Sequence, residues 1–354
     1  MKGLILSGGK GTRLRPLTHT NAKQLVPVAN KPVLFYGLEA MREAGITEVG
    51  IIVGDTRKDI EQAVSDGSQW GIKVTYIDQP EPLGIAHAVA IAEPFIGTDP
   101  FVVYLGDNLL RDGIGDLVQE FLRRRPNGQI MLARVDNPEQ FGVAELEGEK
   151  VVRLEEKPKK PKSDLALVGV YMFDSSIFEA VKCIKPSWRN ELEITDAIQY
   201  LIEQDFHVES HIIDGWWKDT GKLEDMLEAN RMVLDTFEER IEGSVDEGST
   251  VEFKVVVEEG AEVRSSTIRG PAIIGAGAIL ENSYIGPFTS IDRGVRVTNS
   301  EVEHSIILEG SVIEDIPVRI ADSLIGRDVV VARSPHKPKA YRFMLGDASR
   351  VGIL

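Results

Sequence analysis

The sequence predicts an α/β domain built on a mostly parallel sheet flanked by helices, followed by a parallel β-helix. Three observations predict it. Over the first two-thirds of the 354 residues, short apolar runs alternate with segments of helical period. The first of those runs opens into a glycine turn, Gly8-Gly9-Lys10-Gly11. After about Ser244 the apolar residues adopt a different spacing, recurring every five to seven positions.

The elements follow in order. Residues 3–7 form a short apolar strand, and 32–44 a helix closed by Gly45. Residues 49–53 read as a second strand, 59–64 as the start of a helix, and 74–77 as a third strand. Residues 85–92 are helical until Pro94; 101–105 (FVVYL) read as a buried strand and 116–124 as a helix. Strands separated by helices are βαβ units, which give parallel pairing. Further on the pattern is less regular, with a strand at 168–173 and a helix at 195–204. Leu223, Met226, Leu227, Met232, Val233 and Phe237 mark an amphipathic helix over 222–240 that joins the two halves.

Beyond it come Val257, Val263, Ile268, Ile274, Leu280, Ile285, Ile291, Val297, Val302, Ile307 and Ile313. Glycine and small residues follow them. A period of two would give an ordinary sheet and 3.6 a helix; a period near six is a hexapeptide repeat, in which each apolar residue points into a prism. The chain therefore divides into residues 1–243 (with 222–243 as connector), a β-helix at 244–333, and a locally basic tail at 334–354.

Composition excludes several classes. The net charge of −16 argues against nucleic-acid and membrane partners. The lone Cys183 excludes an intrachain disulfide, no apolar stretch is long enough to span a bilayer, and the run after Lys2 is too short for a signal peptide, so a cytoplasmic location is expected. The charge is uneven. The first 38 residues hold six cations (Lys2, Lys10, Arg13, Arg15, Lys23, Lys31) and no acid, which leaves −22 on the rest. A cationic, glycine-rich turn after a strand suits a polyphosphate, because its backbone N–H groups approach phosphate closely. It matches neither the P-loop spacing nor a dinucleotide fingerprint, since the first acid is Glu39.

Residues 6–18 (LSGGKGTRLRPLT), then Lys23-Gln24-Leu25-Val26-Pro27-Val28 and Lys31-Pro32, resemble the sugar-1-phosphate nucleotidylyltransferases, and most of all the glucose-1-phosphate thymidylyltransferases. The resemblance runs through residues 1–243. The repeat resembles the long form of that family, which adds a left-handed β-helix to a Rossmann-like nucleotidyltransferase fold.

The resemblance implies transfer of a nucleotidyl group from dTTP to glucose 1-phosphate with Mg2+. Arg13, Lys23 and Lys157 are implied as the catalytic cations. Leu6, Gly8, Gly9, Gly11, Thr12, Arg13, Gln79, Gly84 and Asp107 are implied to bind nucleotide. Gly142, Glu156, Lys157, Gly169, Tyr171 and Arg189 are implied to bind the sugar phosphate. Asp107, just past the strand FVVYL, and Asp219, in Gly215-Trp216-Trp217-Lys218-Asp219, are implied to hold the metal; two carboxylates plus phosphate oxygens form a hard-oxygen site suited to Mg2+. Read alone, isolated Asp residues of this kind serve as turns or caps.

Leu83 stands before Gly84 where many short forms have Asp, so uridine and adenosine triphosphates remain alternatives to dTTP. A β-helix acyltransferase using His304, or a protein that only senses nucleotide sugar, are alternatives of another class; His304 otherwise reads as an outward or inter-coil residue, and His87 as a helix-packing one. A homo-oligomer assembled through the β-helix is expected.

Overall fold

The computed structural model describes residues 1–9, 11–19, 22–335, 337 and 340–353; Lys10 of the glycine turn lies outside the described residues. By contact the chain forms two units. The first comprises Met1–Lys10, Asn21–Leu25 and Val33–Asp219; the second comprises Gly11–Thr20, Val26–Pro32 and Thr220–Leu354.

In the first unit a nine-stranded sheet is built from β1 (Lys2–Leu6), β2 (Glu48–Val53), β3 (Lys73–Asp78), β4 (Phe101–Leu105), β5 (Gly128–Arg134), β6 (Gly142–Glu147), β7 (Lys150–Glu156), β8 (Leu165–Phe173) and β9 (Val208–Ile212). The order along its main path is β7-β6-β8-β4-β1-β2-β3, and β5 pairs with β8 and β9. The strands β3, β2, β1 and β4 are mutually parallel, as the βαβ pattern predicts. Beyond β4 the sheet becomes mixed, because β8 joins it antiparallel and β6 and β7 form a hairpin. That half also holds β5, β6 and β9, which the sequence reading did not resolve as strands.

Period-two alternation divides the core. Leu4, Ile52 and Val103 face one apolar cluster, with α3 (Ile85–Ile91), α5 (Ser176–Cys183) and α6 (Ile194–Glu203). Their neighbours Ile5, Ile51, Val102 and Tyr104 face the other, with α1 (Val33–Glu43), α2 (Arg57–Val64) and α4 (Gly115–Arg124). Helices on both faces explain why these strands are continuously apolar.

In the second unit the strands from Arg240 onward form three parallel sheets, successive coils adding strands to each, as in a left-handed β-helix. The hexapeptide residues stack in register as three ladders. One runs Val257, Ile274, Ile291, Ile307 and Ile325; a second Val263, Leu280, Val297, Ile313 and Val331; the third Val251, Ile268, Ile285, Val302 and Ile320. The corners differ in chemistry. One is turned by Gly260, Gly277, Gly294 and Gly310, all at positive φ; another by Ser265, Asn282, Asn299 and Asp315, also at positive φ. In the second of these the side chains repay the strain, since Asn282 Nδ2 donates to Asn299 Oδ1 at 2.8 Å and Asn299 Nδ2 to Asp315 Oδ1 at 2.7 Å. His304 is an inter-coil residue: its Nδ1 lies 2.5 Å from Asp322 Oδ1, one coil on.

The helix predicted over 222–240 is shorter, α7 (Leu223–Leu234). Thr236 Oγ1 donates to Val233 O at 2.7 Å, and Thr236 and Phe237 N–H close back to the carbonyls of Val233 and Leu234, which ends the helix before Arg240. Among the described residues, no helix is long and apolar enough to cross a membrane.

Candidate active site

The chain leaves β1 and β4 side by side, with Leu6 and Leu105 as register partners. In an open sheet of this kind, the crevice beyond adjacent parallel strand ends is the usual ligand site. Gly8 and Gly9 follow β1, Gln79 follows β3, and Asp107 follows β4. The three motifs therefore converge on one edge because the strands that carry them are parallel.

Gly8 lies against Gln79: a Cβ on it would sit 2.9 Å from Gln79 Oε1. The Gln79 amide nitrogen is held from the other side, 3.4 Å from Gly84 O and 3.0 Å from His87 Nδ1. With Nε2 of Gln79 donating, His87 accepts at Nδ1 and carries its proton on Nε2. His87 thus orients the Gln79 amide, a role beyond helix packing. Gly84 has φ 106° and ψ 172°, a region only glycine occupies without strain, and a Cβ there would meet Leu192 O at 2.4 Å. Leu192 N–H donates to Leu83 O at 2.7 Å and Ala86 N–H to Leu192 O at 3.1 Å, so the 79–84 loop is sewn to the segment that carries Arg189.

Lys23 and Asp107 form a close ion pair whose side chains are only 16% and 13% exposed. Burial pushes the Asp107 carboxyl up, but the Lys23 ammonium and the Asn108 amide outweigh it and hold its pKa below the usual carboxylate range. Lys23 also runs past Gly9, where a Cβ would be 3.2 Å from Lys23 Cε.

The sequence separates Asp107 from Asp219 by 112 positions. An antiparallel ribbon, Asn108–Leu110 with Trp217–Asp219, closes that gap, with Asn108 and Asp219 as direct partners. Asn108, a residue to which sequence reasoning gave no role, is the hub. It is 2% exposed; its Oδ1 accepts from Trp217 Nε1 at 2.5 Å and from Gly169 N–H at 3.2 Å, and its Nδ2 donates to Asp107 Oδ1 at 3.2 Å. The sequence signal was present, a polar residue beginning the apolar ribbon Asn108-Leu109-Leu110, but nothing in it named the partners. Among the described residues no three His, Cys, Asp or Glu side chains are grouped so that they could hold a metal ion. A small hard cation held by Asp107 and Asp219 would take its other ligands from phosphate oxygens and water, which fits two carboxylates of which one, Asp219, pairs with the residue next to the other.

The sugar-phosphate candidates form a second cluster. Gly142 opens β6 and pairs with Glu156, the last residue of β7. Lys157 follows at φ 44°, its N–H donating to Phe141 O at 3.0 Å and its ammonium 3.8 Å from Glu156 Oε1. Arg189 is clamped by Glu193 through two bonds, Nε to Oε1 at 3.0 Å and Nη2 to Oε2 at 2.8 Å, and reaches Glu156 Oε1 at 3.4 Å. Glu193 precedes α6 but does not cap it; holding Arg189 is a role the sequence left unassigned. Tyr171 is buried, and burial, then the charges of Glu156 and Asp219, push its phenol well up. Tyr171 and the Gly169–Asn108 bond connect this cluster to Asp107.

Burial and the Glu193 charge raise the Glu156 pKa against the opposing pull of Lys157 and Arg189. A carboxyl raised in the fold binds its proton more tightly there, so stability falls as pH rises from the ordinary value of about 4.3 through the raised one. Glu156→Gln removes that loss. Its melting temperature is expected to exceed wild type above this window while activity falls; thermal melts from acid to neutral pH check it, and a lower melting temperature at pH 8 contradicts it.

Gly11, Thr12 and Arg13 belong to the second unit. Gly11 sits at φ 63°, its carbonyl accepts from Thr18 Oγ1 at 2.6 Å, and Thr12–Leu14 makes one 3-10 turn with Leu14 buried and Arg13 exposed.

Residues 2–236 match the sequence profile of the family described as Nucleotidyl transferase. The chain belongs to that family. Within it, the chain is 59% identical to a glucose-1-phosphate thymidylyltransferase of Streptomyces antibioticus, over 100% of this chain and 99% of that protein. A glucose-1-phosphate thymidylyltransferase of Streptomyces griseus is 58% identical over the same shares. A solved Bacillus anthracis structure, described as a glucose-1-phosphate thymidylyltransferase in complex with sucrose, superposes with TM-score 0.64 at 37% identity, over 68% of this chain and 98% of that one. Enzymes of this nucleotidyltransferase family generally use a divalent metal.

Proposed function

We propose that the chain transfers the thymidylyl group of dTTP to α-D-glucose 1-phosphate, giving dTDP-glucose and pyrophosphate. The observation that carries this reading is the full-length identity to the two Streptomyces enzymes. A phosphate oxygen of glucose 1-phosphate forms a bond to the α-phosphorus, and the bond from that phosphorus to the bridging oxygen of pyrophosphate breaks in line. Catalysis is positioning and charge neutralisation, with no covalent enzyme intermediate.

The backbone of Leu6, Gly8, Gly9, Gly11 and Thr12, with Arg13, takes the triphosphate. Gln79 and Gly84 read the base; with its nitrogen held by His87, Gln79 offers Oε1 to the N3–H of thymine. Lys23 and Lys157 screen the two anions from each other. Glu156 accepts from a sugar hydroxyl, Arg189 and Lys157 hold the sugar phosphate, and Gly142, Gly169 and Tyr171 shape the pocket. Asp107 and Asp219 would hold Mg2+, which would supply positive charge to the phosphate oxygens. The enzyme works in the cytoplasm as a homo-oligomer joined through residues 244–333.

The test is a matrix of dTTP, UTP and ATP against several sugar 1-phosphates, with and without Mg2+. The expected result is the highest kcat/KM for dTTP with glucose 1-phosphate and no turnover in chelator. A preference for UTP or ATP overturns the thymidylyl assignment, and turnover without nucleotide but with acetyl-CoA overturns the reaction class.

A further inference from the structure

The buried stripe of α7, formed by Met226, Ala229, Val233 and Leu234, contains one polar side chain, Asn230, at 0% exposure. A buried amide needs partners at both ends. Asn230 Oδ1 accepts from the Ala29 N–H at 2.8 Å and from Ser290 Oγ at 2.7 Å, and Nδ2 donates to Phe288 O at 3.0 Å. Ala29, Asn230, Phe288 and Ser290 all lie in the second unit. One side chain thus ties a segment near the start of the chain to a coil of the β-helix.

What it holds is a strained turn. Pro27 and Val28 pair antiparallel with Pro32 and Lys31, and the two joining residues, Ala29 and Asn30, have φ of 48° and 60°. Two positive φ angles define a type I′ turn, whose preferred residues are Asn-Gly. Alanine in the first position has neither glycine's freedom nor a polar side chain to offset the strain. Asn30 is fastened to the same coil, its Nδ2 donating to Ile291 O at 2.8 Å. Ile291 is itself a rung of an apolar ladder, so the turn is referenced to the rigid core of the prism.

We propose that Asn230 is a positioning residue for nucleotidyl transfer: through it the β-helix holds the Ala29–Asn30 turn, and with it the lysines on either side in the chain, Lys23 and Lys31. This rests on the function proposed above. The β-helix then has a part in the chemistry besides assembly, and Thr12 and Arg13 belong to the same unit.

Asn230→Leu keeps the number and branching of side-chain heavy atoms and deletes all three bonds; Ser290→Ala deletes one. Assayed well below its melting temperature, Asn230→Leu is expected to lose about tenfold or more in kcat, with KM for glucose 1-phosphate little changed, because Glu156, Lys157 and Arg189 are far in the chain from the Ala29–Asn30 turn. Ser290→Ala loses less, and serves as the test if the first variant does not fold. Ala29→Gly, which relieves the strained φ, is expected to restore most of the loss in the Asn230→Leu background. A variant that melts earlier but turns over at the wild-type rate overturns the proposal, as does failure of Ala29→Gly to rescue. If wild type turns over no nucleotide, the functional reading fails on its own account. Hydrogen exchange then decides the positioning claim: faster exchange in residues 26–32 of Asn230→Leu, with 2–6 unchanged, upholds it, and unchanged exchange overturns it.

Discussion

Alanine in place of Arg13 is expected to lower turnover by ~10²–10³-fold, the usual effect of removing one well-placed donor of charge from a phosphoryl-transfer site. The melting temperature should stay within about 2 °C of wild type, because substitutions of exposed side chains seldom matter to stability. Arg13 is exposed, and its neighbour Leu14, buried at 1% exposure, anchors the turn without it. The local backbone is fixed independently, by Leu14 N–H on Gly11 O at 3.0 Å and by the Thr18 hydroxyl on the same carbonyl. The effect should therefore fall on kcat and on KM for the triphosphate, and spare KM for the sugar phosphate. Lysine at this position restores charge but not the planar fork, and should recover only part of the rate. Steady-state kinetics in both directions, with melts of the same preparations, check this. Near-wild-type pyrophosphorolysis by Arg13→Ala contradicts the role given to the cationic turn.

How much of this was legible in the sequence depends on the range of the interaction. The parallel strands of the first half came through as short apolar runs between helical segments, and the prism ladders through a local period near six with a single buried face. Ile274 and Ile291 stack for the same reason that each is apolar at its own position. The antiparallel half of the sheet came through less well. Strand β5 reads as a plain apolar run, and its partners β8 and β9 are set by tertiary pairing. At the site, the glycine turn after a strand and the carboxylate at a strand end pointed to Gly8 and Asp107, while Gln79 came only from the family resemblance. What no local pattern carries is the set of side chains that hold others. Asn108 gathers Asp107, Gly169 and Trp217, Glu193 grips Arg189, and His87 turns Gln79. Each of these contacts spans a turn or a strand crossing that the sequence does not encode as a period.

Asp107→Ala is the sharper case, since it should cost both chemistry and stability. Turnover is expected to fall by at least ~10²–10³-fold, because a carboxylate that gathers positive charge at the phosphates is lost. The stability cost follows from the ion pair. Asp107 sits with Lys23 out of solvent, and its carboxyl lies below its ordinary range. Deleting one partner of such a pair strands the other, at a cost of about 3 kcal/mol for a fully buried pair and less where some solvent reaches it. A carboxyl depressed in the fold contributes stability that is present above its unfolded pKa, about 3.9, and disappears as pH falls through its folded value. In chelator, the melting temperatures of wild type and Asp107→Ala should therefore differ at neutral pH and converge in acid. A gap that shows no narrowing as pH falls would place the cost in packing and not in charge. The double variant Lys23→Met, Asp107→Leu separates the two functions. Removing both charges should return much of the stability, since an apolar pair of similar volume replaces a desolvated ion pair without penalty. It should return none of the activity, because the role proposed for the pair is toward the substrate phosphates and not toward each other. Recovery of turnover in that double variant would mean that Lys23 and Asp107 serve only to neutralise one another.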